Sequence, residues 1–383
     1  MITSFDFSPF DLPGHVAELR QEVRRFLRET LPEYSPEQRA QSWMGFDREF
    51  SRKLGARGWI GMTWPKEYGG NERSTLERYV VIEELLAAGA PVGAHWIADR
   101  QSGPQILRYG SEEARKRFIP GITRGGIFFC IGMSEPNAGS DLAAVTTNAT
   151  RTEGGWLLNG AKVWTTIVHK AHVMIDLART RQKTDNRHAG LSQFLVDLDS
   201  PGVTRRPITD HLGEQHFGEV FLDNVFVPDD MLLGSEGEGW SQVNAELSLE
   251  RSGPERYLSS FQLLVQFIAS IESNPSELEL NLAGAFASEL WTIRQMSLSV
   301  TGKLANDEQA NLEAAMVKDI GACFEQQLPS KIQEIVRPRV KPDAKGSVHS
   351  VLEYLLKASP SFSLRGGTRE ILRSIISKEI GLR

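Results

Sequence analysis

A chain of 383 residues exceeds what one compact core organises, so two or three domains are expected. A net charge of −6 without long like-charge runs argues against a nucleic-acid surface, and the two cysteines, Cys130 and Cys323, form neither a metal-binding spacing nor a disulfide framework. The first residues hold no apolar secretory core and no segment approaches about eighteen consecutive apolar residues, so the expectation is a soluble, cytoplasmic protein with buried thiols.

From Gly14 to Leu31 the apolar residues Val16, Leu19, Val23, Phe26, Leu27 and Leu31 follow a helical period and predict an amphipathic helix. Further helices are predicted over 46–58, 78–88 and 112–118, the last capped by Ser111 and ended by Pro120 and Gly121. Gly125 and Gly126 mark the entry to a second region, so residues 1–126 read as a helical N-terminal domain. Between 127 and 235 the pattern becomes alternating or continuously apolar. Strands are predicted over 128–133, 172–178, 191–198, 203–208 and 219–227, separated by turns at 185–190, 200–202 and 228–230. This is a β-barrel or β-sandwich middle domain. Residues 236–383 are helical again, over 240–273, 278–304, 308–336 and 348–356, enough for a C-terminal bundle. A last helix follows Ser363-Leu364-Arg365-Gly366-Gly367-Thr368, with Thr368 as its N-cap; it is an ordinary docking helix or one whose N-terminus meets a ligand. The fold class is mainly α with a central β domain.

The most informative stretch runs from 128 to 166. Phe128 to Met133 predicts a buried strand that must stop before Pro136, inside Ser134-Glu135-Pro136-Asn137-Ala138-Gly139-Ser140-Asp141. Gly139 permits a positive φ, which would let the loop turn several N–H groups toward one acceptor. Taken alone, the segment fits an ordinary surface loop equally well. Asn159-Gly160, flanked by Trp156-Leu157-Leu158 and Ala161-Lys162-Val163-Trp164, predicts a hairpin turn. Directly after it, Trp164, Thr165 and Thr166 supply one flat aromatic face and two hydroxyls, which suit a flat heteroaromatic cofactor.

This succession resembles the acyl-CoA dehydrogenase family, in whose middle domain a strand leads into TEP-x-AGSD, NG-x-K and W-x-T segments. Here they stand as SEP-N-AGSD, NG-A-K and W-T-T, with Ser134 where the family usually has Thr. The likeness extends upstream to Trp64-Pro65-Lys66-Glu67-Tyr68-Gly69-Gly70 and downstream through Phe217-Gly218-Glu219-Val220-Phe221 and Val225-Phe226-Val227-Pro228. It implies non-covalent FAD, α,β-dehydrogenation of an acyl-CoA and electron transfer to an electron-transfer flavoprotein. It also implies a homotetramer or homodimer, or an assembly with a related second subunit. By the same resemblance, Ile131, Met133 and Ser134 line the isoalloxazine edge and Trp164, Thr165 and Thr166 flank its other side. Ser140 matches a residue at the CoA moiety, and Thr368 and Glu370 fall near flavin phosphate or ribityl groups. One departure is clear: the family often carries a Q-x-x-GG-x-G segment for the FAD pyrophosphate, and Gln333-Glu334-Ile335-Val336-Arg337-Pro338 lacks its glycines.

Removing a proton α to a thioester carbonyl needs a carboxylate in a dry site and donors for the developing enolate oxygen. Many family members place the base immediately before a C-terminal Gly-Thr. Here that position is Gly366, next to Gly367, so only backbone remains there to meet the thioester. Isovaleryl-CoA and long-chain acyl-CoA dehydrogenases carry the base in an L-x-x-E-R helix instead. Leu247-Ser248-Leu249-Glu250-Arg251 matches, making Glu250 the expected catalytic base with Arg251 at the substrate. On one helix Glu250 would share a face with Leu247, Gly253, Pro254 and Tyr257, and Pro254 should distort that helix within a turn. From the residues alone, a structural ion pair of Glu250 with Arg251 or Arg256 fits as well. Two alternatives stay open: a flavin-dependent monooxygenase on the same scaffold, and a non-catalytic subunit of a heteromeric dehydrogenase.

Overall fold

The computed structural model describes residues 5–181, 185–249, 252–271, 275–306, 308–336 and 347–382. The first helices are α1 (His15–Thr30), α2 (Pro36–Gln41), α3 (Arg48–Ala56), α4 (Thr75–Ala87), α5 (Gly103–Tyr109) and α6 (Glu112–Thr123). Eight strands follow: β1 (Phe129–Gly132), β2 (Asn148–Thr152), β3 (Gly155–Thr166), β4 (Val173–Arg179), β5 (Leu191–Asp197), β6 (Val203–Ile208), β7 (Phe217–Pro228) and β8 (Leu232–Leu233). The chain then returns to helix in α7 (Gly239–Leu249), α8 (Phe261–Ser270), α9 (Glu277–Ala305), α10 (Asn311–Val336), α11 (Ser347–Ala358) and α12 (Arg369–Glu379). An N-terminal helical domain, a middle β domain and a C-terminal helical domain are therefore all present. Among the described residues no helix is long and apolar enough to cross a membrane.

Contacts group the chain into two compact units, one of residues 1–46, 74–92 and 249–383 and one of residues 47–73 and 93–248. In the first, helix starts are fixed by side chains. Ser35 with Gln38, Ser74 with Glu77 and Ser276 with Glu279 form capping boxes that satisfy the otherwise orphaned first N–H groups of α2, α4 and α9. Val16 of α1 packs on Tyr79 and Val80 of α4 and Leu298 of α9. Buried Glu83 and Glu84 of α4 draw in Arg20, Arg24 and Arg294.

In the second unit one sheet runs in the order β6-β7-β3-β2-β4-β5-β8, with β1 added in parallel alongside β4. Every residue of β4 is buried, which accounts for its apolar character apart from Asp176 and the terminal Arg179. Ser111 caps α6 as expected, its hydroxyl accepting from the Ala114 N–H at 3.0 Å. The helix does not end at Pro120 and Gly121, however, but runs to Thr123. Full burial of Ile119 and Ile122 outweighs the one hydrogen bond Pro120 cannot make.

Three further expectations are corrected. Asn159-Gly160 is not a hairpin turn: β3 runs through it, and the β2–β3 turn is at Glu153-Gly154, where Gly154 has φ 71°. The pair forms an irregularity opposite β7 between Leu158 and Gly160. There the Asn224 N–H donates to Asn159 Oδ1 at 2.9 Å, and a Cβ at Gly160 would lie 2.3 Å from Thr147 Oγ1. Close approach, not turning, requires this glycine. Second, Gly139 does not take a positive φ; the loop turns at Pro136-Asn137, closed by Glu135 N–H to Ala138 O at 2.9 Å and the reverse bond at 3.0 Å. Third, residues 240–273 are not one helix: α7 ends at Leu249, a single 3-10 turn follows at Pro254–Arg256, and α8 starts at Phe261. The break near Pro254 is the expected one, but it removes the helical face proposed to join Leu247 to Gly253 and Tyr257.

Candidate active site

Within the second unit, the end of β1 and the far half of β3 lie side by side. The Val163 N–H donates to the Ser134 carbonyl at 2.9 Å, so the sheet brings Ile131, Met133 and Ser134 next to Trp164, Thr165 and Thr166. Register slips between Lys162 and Thr165 against β7, a bulge that re-aims the side chains beyond it. Trp164 has φ 59° and Ile167 φ 52°, left-handed conformations that bulky and β-branched residues rarely adopt. The result is an indole 60% exposed, its ring edge-on to Phe217 at 6.3 Å. The two threonines separate: Thr165 is buried, its hydroxyl without a hydrogen-bond partner among the described residues, while Thr166 is half-buried. Ser140 is exposed further along the loop.

Beneath this edge lies a charged cluster whose Glu135 and Lys162 belong to the SEP-N-AGSD and NG-A-K segments, although the sequence reading gives neither a role. Lys162, 1% exposed, divides its ammonium hydrogens among Glu135 Oε1 at 3.0 Å, the Leu177 carbonyl at 2.6 Å and the Met133 carbonyl at 3.3 Å. The Glu135 carboxylate also accepts from the Thr146 N–H and hydroxyl, both at 2.7 Å, and from the Thr147 N–H at 2.9 Å. Burial pushes the Glu135 carboxyl up, but Lys162 and these donors outweigh it and hold it down at about 2. Asp176, opposite Gly132 in the β1–β4 register, is fully buried 3.8 Å from Lys162 Nζ. Neither of its oxygens has a hydrogen-bond partner among the described residues, and burial pushes its carboxyl up to about 6. The sequence signal was a charge inside each of two apolar runs, Met174-Ile175-Asp176-Leu177 and Ala161-Lys162-Val163.

The remaining sequence-derived residues lie in the first unit. Glu250 and Arg251 fall outside the described residues. The segment from Ser252 to Ser259 is firmly held: the Ser297 hydroxyl donates to the Ser252 carbonyl, Tyr257 and Tyr79 share a hydrogen bond at 2.8 Å, and the Ser259 N–H donates to Glu325 at 2.7 Å. Glu325 is fully buried, which pushes its carboxyl up against the pull of Arg365 at 2.8 Å. Arg365 also lies 4.5 Å over the rings of Trp43 and Phe362. Gly366 and Gly367 come next with φ 62° and 96°, and buried Lys318 donates to the Gly367 carbonyl. Thr368 is the N-cap of α12 by backbone geometry, though its side chain makes no capping bond. Glu370 is exposed in the first turn, where backbone hydrogen bonding lowers its carboxyl pKa.

The fold and these motifs point to one protein family, and sequence comparison identifies it. Residues 15–126 match the acyl-CoA dehydrogenase N-terminal domain and residues 130–225 its middle domain, together more than half of the chain. The chain belongs to the acyl-CoA dehydrogenase family. It is 33% identical over 341 residues to acyl-CoA dehydrogenase FadE34 of Mycobacterium tuberculosis, covering 85% of this chain and 45% of FadE34. It is 37% identical over 243 residues to acyl-CoA dehydrogenase IpdE1 of the same organism, covering 62% of this chain and 63% of IpdE1. The chain thus spans less than two thirds of either relative. Among solved structures, the Tcur3481-Tcur3483 steroid ACAD superposes with a TM-score of 0.86 at 28% identity, covering 96% of this chain and 98% of that one.

Proposed function

We propose that the chain is an FAD-dependent acyl-CoA dehydrogenase that forms a double bond between Cα and Cβ of an acyl-CoA thioester and passes electrons to an electron-transfer flavoprotein. The observation that carries this reading is the bulged end of β3, which holds Trp164 in a left-handed conformation with its indole exposed, two residues before Thr166 and directly after Val163, whose N–H donates to the Ser134 carbonyl. A flat ring system asks for a stacking face and for donors along its polar edge, and these residues fit that demand.

When bound, FAD supplies the acceptor for the hydride leaving Cβ. The chain's own task is the proton. The Glu250 carboxylate takes it from Cα, while the Gly366 N–H donates to the thioester oxygen as negative charge develops there. Ser140 and Arg251 contact the CoA ester, Gly367 gives its backbone to the same substrate, and Thr368 and Glu370 meet the polar part of the flavin. Gly366 also leaves open the space that a glutamate side chain takes at this position in many family members. Together with the steroid ACAD neighbour, that supports a bulky, steroid-like acyl group. The paired name of that neighbour likewise supports an assembly of this chain with a related second subunit. Purified protein should be yellow and release FAD on denaturation. Release of FMN, or absence of any flavin after co-expression with a related subunit, would overturn the cofactor assignment.

A further inference from the structure

The Lys162 cluster belongs to none of the roles above, yet two of the acceptors of Lys162, the Met133 carbonyl and the Glu135 carboxylate, lie on or next to the proposed flavin edge. Its three acceptors lie on two separate pieces of chain: the Met133 carbonyl and the Glu135 carboxylate in the loop that follows β1, and the Leu177 carbonyl in β4. Glu135 in turn closes the far end of the same loop through the Thr146 and Thr147 N–H groups. One buried ammonium therefore fixes where Met133 and Ser134 stand relative to the sheet. Asp176 is a second carboxylate within reach of that ammonium, but at 3.8 Å it is too far for a hydrogen bond.

We propose that Lys162 is the positioning residue of the loop from Met133 to Thr147, and that the charge on Asp176 sets how firmly Lys162 holds Glu135. With Asp176 neutral, Glu135 is the one carboxylate charge drawing on Lys162. With Asp176 ionised, two carboxylates compete for one ammonium in a site shut off from water, and the loop loosens. The charged and titratable groups facing Asp176 are Lys162 from β3, Glu135 from the loop and the Cys130 thiol from β1, while β5 places Phe194 opposite it. Arg179 adds a weaker attraction on Glu135. Glu135, held at about 2, stays ionised throughout the range in which Asp176 titrates near 6. The switch therefore lies in Asp176. The inference rests on the preceding functional reading only in identifying this loop as the flavin edge.

Amide exchange of the full-length protein, followed by mass spectrometry over 129–147 and corrected for the intrinsic pH dependence of exchange, tests it. In the wild type the Thr146 and Thr147 amides should be better protected at pH 5 than at pH 7.5, and Asp176→Asn should hold the tighter value at both. Lys162→Met should speed exchange on the order of a hundredfold, as expected when one partner of a buried ion pair is removed. Lys162→Met combined with Glu135→Gln and Asp176→Asn, which leaves no buried unpaired charge, covers the case in which the single variant fails to fold and should show the same loosened loop. Unchanged protection in the lysine variants, or a wild-type pH dependence retained in Asp176→Asn, overturns the proposal. Whether the protein carries FAD is read separately from the flavin released on denaturation, so failure of that reading leaves the exchange measurement standing.

Discussion

Among the stretches of this chain that enter the left-handed region of backbone space, two do so by opposite means. At the end of β3 the residues are Trp164 and Ile167, whose side chains make the conformation costly, on the order of 1–3 kcal/mol each. In the C-terminal segment they are Gly366 and Gly367, for which the same region carries no steric penalty. Strain is retained where a side chain must be presented and avoided where only backbone is needed. The first stretch exposes an indole, and the second is a pair of peptide groups without side chains, one of whose carbonyls accepts from Lys318. Buried charge follows a similar contrast. Glu325 beside the glycine pair is matched by Arg365, whereas Asp176 under the strained strand has no hydrogen-bond partner among the described residues.

If the glycine stretch contributes backbone alone, the proton-abstracting group must come from elsewhere, and the largest effect is expected at Glu250. Glu250→Gln should keep FAD and acyl-CoA binding while flavin reduction in rapid mixing falls by roughly 10²–10⁴. A wild-type rate in that variant would remove Glu250 from the mechanism. Next in size is Asp176→Asn. The folded-state carboxyl lies at about 6 and the ordinary value is 3.8, so native stability is lost as pH rises from about 4 to 6 and stays low above. The variant should therefore gain on the order of 3 kcal/mol at pH 7 and nothing near pH 3, as measured by denaturant unfolding across pH. Gly366→Ala comes third: a Cβ at φ 62° should cost about 1–2 kcal/mol of stability, a drop of a few degrees in Tm, with FAD content unchanged. The smallest effect is expected at Trp164→Gly. It should relieve strain and raise the Tm of flavin-free protein slightly, while weakening FAD retention by about 0.5–1.5 kcal/mol, the worth of an aromatic stacking partner. A flavin affinity unaffected by this change would break the contrast between the two stretches.

Much of the fold was legible in the sequence because it is local. The period of Val16, Leu19, Val23 and Phe26 marks α1, and the apolar run after His172, interrupted at Asp176, marks β4, since each pattern reflects burial of that element's own residues. The features that escaped are non-local. Asn159-Gly160 carries a turn signal, yet its geometry is set by Asn224 and Thr147, which no short window contains. The charges at Lys162 and Asp176 are visible inside apolar runs, but their partners depend on the pairing of β1 with β4 and on the inward turn of Glu135. The left-handed backbone at Trp164 has no glycine to announce it. Helical continuity from α7 past Pro254 was overestimated because the apolar residues beyond the proline serve α8 and a buried tyrosine pair instead.

The proposed function gives the exposed face of Trp164 to FAD and the backbone of Gly366 to a bulky acyl-CoA thioester. The most direct test is an anaerobic titration of the purified protein, with its related subunit if one is required, using steroid-like and linear acyl-CoA esters. The expected result is stoichiometric loss of the oxidised flavin band with the bulky thioester and a product two hydrogens lighter. A flavin that stays oxidised with every CoA ester, but is reduced by a nicotinamide cofactor and reoxidised by oxygen, would contradict it.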